Sequence, residues 1–169
     1  KTLELGAGYG AGAATIKRTL RVQAKIIVSD EEAERAKDAY RDTHPAVVNY
    51  WRAGGRMISR IAGGAPTEWG PLLVETGRIV LPNGCMIHYP DLEYFRDPEA
   101  GEDYWRYRSR NGWSKIYSSK LVENVIQALA RVLISQAMIR IVDAGYPVVN
   151  TEHDSLWILI PKDGREQYH

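Results

Sequence analysis

An α+β fold follows from three features of the sequence, with helices first and short antiparallel strands after them. Apolar residues recur at helical spacing through about the first sixty positions. From Leu72 the pattern shortens to strand-like segments around an Asn-Gly step, and a long stretch with an apolar side begins near Ser119. Strands and helices grouped along the chain, without regular alternation, mark α+β architecture.

Each element has its local reason. From "KTLELGAGYGAG" onward, Leu5, Tyr9, Ile16 and Leu20 recur at four- and seven-residue intervals, which predicts a helix from near Lys1 to about Val22 despite the alternating glycines. Ser29 followed by Glu32 is a capping box for a helix running to about Asp42. Pro45 suits the first turn of a third helix that carries Val48, Trp51, Met57, Ile58 and Ile61 and stops at Gly63 and Gly64. The segment "LLVETGRIVLPNGCMIHYP" reads as strands turned at Asn83-Gly84, because Gly tolerates the positive φ of a tight turn. Residues 91–112 show weak periodicity and are expected to form an irregular connection. The long helix carries Val122, Ile126, Leu129, Leu133 and Met138 and ends at Gly145. "YPVVNTEHDSLWILIP" closes the order as two apolar strands around a polar tip. The expected division is helices over 1–70 and the mixed portion over 71–169, in one continuous unit.

The 169 residues, 44% of them hydrophobic and 25% charged, suffice for one core with a smaller lobe. No apolar run is expected to approach the roughly 18 residues of a membrane helix, and no membrane partner is expected. A single cysteine, Cys85, excludes an internal disulfide framework and fits a reducing compartment. The net charge of +1 argues against a wholly basic nucleic-acid binder. Charge is uneven, however: Lys1, Lys17, Arg18, Arg21 and Lys25 against Glu4 give residues 1–25 a net +4 that suits phosphate. Lys1 directly heads a patterned stretch with no initiator Met, so the sequence reads as a fragment.

Two stretches can carry chemistry. On a helix, Lys1, Leu5 and Tyr9 align a cation, an apolar group and a ring on one face, with small residues beside them that allow close approach of a nucleotide. The same face also suits plain packing with a solvated lysine. A nucleotide-cradling glycine loop is the weaker reading, since no strand precedes Gly6. At the other end, His153 and Asp154 occupy a hairpin tip where Gly, Asn or Pro is usual. An Asp fixed there suits a hard cation such as Mg²⁺, and it equally suits an Asx turn.

Taken together, "KTLELGAGYGAG", "LPNGCMIHYP", "KLVENVIQALARVLISQAMIRI" and "EHDS" resemble, in order and rough spacing, the family A DNA polymerases of the bacteriophage and prophage branch, from the fingers helix to the end of the palm. The resemblance implies that Lys1 contacts the phosphates of an incoming deoxynucleoside triphosphate. It places Leu5 against the nucleotide sugar and Tyr9 with Gly10 beside the templating base. Asp154 corresponds to the second palm aspartate, which with a partner carboxylate holds two Mg²⁺ ions about 4 Å apart. His153 stands near the primer end, Gln127 reads the minor groove of the new duplex, and Asn124 is placed with it as a DNA contact. The implied partners are primer-template DNA and deoxynucleotides, in the cytoplasm of a bacterial host.

The sequence also departs from that pattern. Leu5 replaces the aromatic residue of many relatives, and Ser155 replaces a Glu. Nothing resembles the first palm motif with its metal-binding Asp, so the fragment alone is expected to be catalytically silent. A sheet edge left open by missing upstream strands would admit a second copy. Two other readings stand beside the enzyme. One is a nucleic-acid-binding module using Lys17, Arg18, Arg21, Arg106, Arg108, Arg110 and Lys115, with Tyr104, Trp105 and Tyr107 as stacking surfaces. The other is a protein-interaction piece whose charges are solvated faces.

Overall fold

The computed structural model describes residues 2–99 and 101–161, the side chains of Thr2, Leu3 and Leu5 excepted. Helix α1 spans Thr2–Gly8 and α2 spans Ala13–Thr19, continuing into a π-helical turn over Leu20–Ala24. The single helix expected to about Val22 is therefore broken. Gly10 adopts φ +77°, its N–H reaches Ala7 O at 2.9 Å, and Ala11 N–H reaches Gly6 O at 3.2 Å. That pair of bonds is a Schellman ending, which satisfies the last carbonyls of α1 and turns the chain away.

Helix α3, Asp30–Thr43, starts where the capping box places it. Ser29 Oγ accepts from Glu32 N–H at 3.1 Å, and Ser29 N–H donates to the Glu32 carboxylate at 2.7 Å. The backbone bond from Ser29 holds the Glu32 carboxyl below its ordinary range. Helix α4, Pro45–Gly63, has Pro in its first turn and buries Trp51, Gly54, Ile58 and Ile61, one helical stripe. Gly54 lies at a close approach: an added Cβ would stand 3.0 Å from both Ser118 O and Val122 Cγ2 and 3.7 Å from the Trp69 ring.

A four-stranded antiparallel meander follows, β1 Thr67–Trp69, β2 Leu72–Glu75, β3 Arg78–Val80 and β4 Met86–His88, in that spatial order. The cross-strand pairs Trp69–Leu72 and Val74–Ile79 fall on its buried face. Asn83-Gly84 lies in the β3–β4 turn with Gly84 at φ +82°. The turn is a five-residue loop, Leu81 to Cys85, closed by Leu81 N–H to Cys85 O at 2.8 Å.

Residues 91–112 are not irregular. They supply most of a second antiparallel sheet, β5 Glu93–Arg96, β6 Asp103–Ser109 and β7 Gly112–Ile116. Both faces of this sheet carry aromatic rings and charges, so no apolar–polar alternation marks it in the sequence. Helix α5, Ser118–Asp143, buries Leu121, Val122 and Val125 in its first turns. It ends in a second Schellman arrangement at Gly145, φ +89°, with Gly145 N–H to Val142 O at 2.9 Å and Tyr146 N–H to Ile141 O at 3.1 Å. By length and composition α5 is apolar enough to cross a membrane, with a mean hydropathy of 1.6 over its best window. That corrects the expectation that no segment reaches this length. The same composition serves a helix that packs in a core, as its first turns do. Strands β8 Val148–Glu152 and β9 Ser155–Ile158 form a final antiparallel hairpin.

Packing divides the chain into two compact units, Lys1–Val125 and Ile126–His169. The first contains α1–α4, both larger sheets and the start of α5, with the core described above. The second contains the rest of α5 and the β8–β9 hairpin.

Candidate functional site

The first unit holds a cleft of about 390 Å³ at the broken end of α1, lined by Gly6, Tyr9, Gly10 and Thr15 together with Tyr117 and Glu123. Its shape follows from the chain break. The Schellman turn leaves Tyr9 at the helix end with half of its surface open, and the positive φ of Gly10 lets the turn press onto Ser119. A glycine-rich wall, a half-exposed phenol ring and a facing carboxylate can accept a flat polar ligand such as a nucleobase. Of the expected nucleotide-binding residues, the structure brings Tyr9 and Gly10 to this cleft. Lys1 and the side chain of Leu5 lie outside the described residues. Tyr117, Ser119 and Glu123 were not anticipated, because nothing local in the sequence ties the start of α5 to the glycine-rich turn.

Asn124 has a packing partner. Its Nδ2 donates to the hydroxyl of the buried Tyr89 at 3.0 Å, a part-buried bond. Burial pushes the Tyr89 phenol up to about 12; the Asn124 bond acts downward and the edge-on Tyr107 ring, 5.1 Å away, acts upward. Gln127 is exposed on α5.

In the second unit, His153 and Asp154 form the two-residue connection of the hairpin, with Glu152 paired to Ser155 immediately before it. Both tip side chains are exposed, and His153 adopts φ +52°, a conformation an L residue enters at a cost of about 1–3 kcal/mol. The polar tip is thus held in a tight turn of the kind that usually selects glycine. Among the described residues no three His, Cys, Asp or Glu side chains converge as a metal-ligating group. A two-ion site does not fit the described part of this chain: Asp154 and Glu152 share one hairpin, and no further carboxylate joins them within that set.

The basic candidates divide by face. Lys17 is held by Asp30 at 2.8 Å, while Arg18 and Arg21 are exposed along α2 and the π-helical turn. On the second sheet, Tyr104, Arg106 and Arg108 alternate along β6 with Trp105 and Tyr107, which therefore lie on the opposite face. Trp105 meets Tyr94 at 5.2 Å and Tyr107 meets Tyr89. The stacking set expected from the sequence is accordingly split: only Tyr104 shares the cation face, where Phe95 and Trp113 join it.

No family model matches the chain, and no solved structure matches it. Among curated proteins, it is 24% identical over 177 aligned residues to a protein of Bacillus phage SP02. That relative is a DNA polymerase. The similarity covers 98% of this chain and 27% of the phage DNA polymerase, so the chain spans about a quarter of the relative it matches.

Proposed function

We propose that this chain is the fingers-to-palm part of a family A, template-directed DNA polymerase, whose parent adds deoxynucleotides to a primer 3′-hydroxyl. The observation that carries the reading is the similarity to a phage DNA polymerase running through 98% of the chain. Two local features support it. The cleft at Tyr9 and Gly10 offers a ring and a close-approach backbone to a nascent base pair, and the His153–Asp154 tip sits in a constrained turn suited to fixing a carboxylate.

In this reading Lys1 and Leu5 face the incoming nucleotide, Gln127 and Asn124 lie toward the duplex, and His153 lies toward the primer end. The Asn124 amide would leave Tyr89 to contact DNA directly; otherwise its part is to position α5. Magnesium binding at Asp154 belongs to the reading only with carboxylates from outside the described residues. The chain alone is therefore expected to be inactive, in a parent that works on DNA in the cytoplasm of a bacterial host. The open edges of β8 and β9 suit pairing with a second copy, which light scattering across concentration would register as a rising mass.

The test is primer extension with Mg²⁺ by a polymerase carrying this chain, wild type beside Asp154→Asn. Loss of extension with retained primer-template binding supports the reading. Equal extension by both removes Asp154 from the mechanism, and extension by the chain alone overturns the expected inactivity.

A further inference from the structure

One face of the second sheet carries a ladder of rings and cations that neither the nucleotide cleft nor the Asp154 tip uses. Cross-strand pairing puts Phe95 opposite Tyr104, Trp113 opposite Arg108 and Lys115 opposite Arg106, all on that face. The Arg106 guanidinium lies 3.4 Å from the Phe95 centroid and 4.2 Å from that of Trp113. Arg108 lies 4.5 Å from Trp113, and Lys115 Nζ lies 3.8 Å from the Tyr104 ring. Each cation is thereby set in register with a ring.

We propose that this face binds single-stranded DNA, with Arg108 and Lys115 on phosphates and the Trp113 ring stacked on a base. Charge complementarity supports the choice of occupant. Arg106 is neutralised by Glu93 at 2.6 Å and serves as a spacer between rings, whereas Lys115 is only loosely matched by Glu102 at 3.7 Å. Arg108 forms no ion pair among the described residues and is exposed, as are Trp113 and Lys115. The face therefore presents uncompensated positive charge around Trp113, a partly exposed ring that Arg106 and Arg108 also contact. A duplex meets only half of that chemistry, because its bases are already stacked. An unpaired strand meets both halves, with a continuous backbone for the cations and free base faces for the rings. An acidic peptide would use the charges and leave the rings idle. The proposal stands on this face alone and does not rest on the polymerase reading.

The test is fluorescence anisotropy of a labelled oligothymidylate titrated with the full chain, with no primer extension involved. Arg108→Gln and Trp113→Leu are each expected to weaken binding about tenfold. Arg108→Gln should also reduce the slope of log affinity against log salt by about 0.7, the loss of one phosphate contact. Arg96→Gln, which removes an exposed cation from the opposite face, should leave affinity unchanged. Because Arg108 is exposed, Arg108→Gln keeps the test decisive even where Trp113→Leu disturbs the sheet, and circular dichroism reports folding. The proposal is overturned by wild-type chain that does not bind, by unchanged affinity in Arg108→Gln, by an equal loss in Arg96→Gln, or by duplex bound as tightly as the single strand. Loss of primer extension in Asp154→Asn with binding intact leaves this face in place, so the two readings fail separately.

Discussion

Gly10 and Ser119 touch so closely that no side chain fits between them: a Cβ on Gly10 would stand 2.5 Å from Ser119 Cβ and closer still to its Oγ. This contact fixes the glycine-rich turn of the cleft against the start of α5, and Ser119 is itself buried. One position thus combines a backbone that L residues avoid with a space they cannot enter.

Gly10→Ala is accordingly expected to destabilise the fold by about 2–4 kcal/mol, the sum of left-handed strain and overpacking. Chemical denaturation checks it. Adding Ser119→Gly should recover the overpacking part and leave the strain. Full stability in Gly10→Ala would mean that the turn rearranges without cost.

A second close approach makes Gly54 sensitive to size. Gly54→Val is expected to cost about 1–3 kcal/mol, because Ser118 O is backbone and cannot swing aside as a flexible side chain does. A thermal midpoint equal to wild type would show that α4 can shift away from Val122.

Tyr89 and Asn124 give a pH signature. The folded phenol ionises near 12 and the unfolded one near 10, so the protonated form favours the folded state. Its contribution is complete below about pH 10 and is lost as pH rises toward about 12. Phenolate absorbance should show Tyr89 titrating late; burial also raises Tyr50. Asn124→Ala leaves the buried hydroxyl without its donor and is expected to cost about 1–3 kcal/mol. A Tyr89 that titrates with the exposed tyrosines would refute the buried assignment.

The hairpin tip should separate stability from function. His153→Gly relieves the positive φ and is expected to leave stability equal or higher by up to about 1 kcal/mol. In a polymerase carrying this chain the same change should slow primer extension. Unfolding and extension measured together decide the point: unchanged extension would reduce His153 to a turn residue.

Much of the fold was legible because its causes are local. The Ser29–Glu32 box, the Pro45 start, the stripe of α4, the Asn83-Gly84 turn and the Gly145 stop each reside within a few residues. The second sheet was illegible for the converse reason: its rings and cations alternate with other rings and charges, and only pairing across strands sorts them by face. The same holds for the candidate site. Tyr9 and Gly10 could be singled out from their own stretch, whereas Tyr117, Ser119 and Glu123 join them only through folding.

The sequence by itself determined where helices start, where the chain becomes strand-forming and which tip carries His153 and Asp154, since capping, periodicity and turn chemistry act over neighbouring residues. The tertiary structure decided which glycine would break the first helix. Gly6, Gly8, Gly10 and Gly12 are alike in their local freedom, yet only Gly10 takes the left-handed conformation. Ser119 lies against that one position, and close packing leaves room there for hydrogen alone.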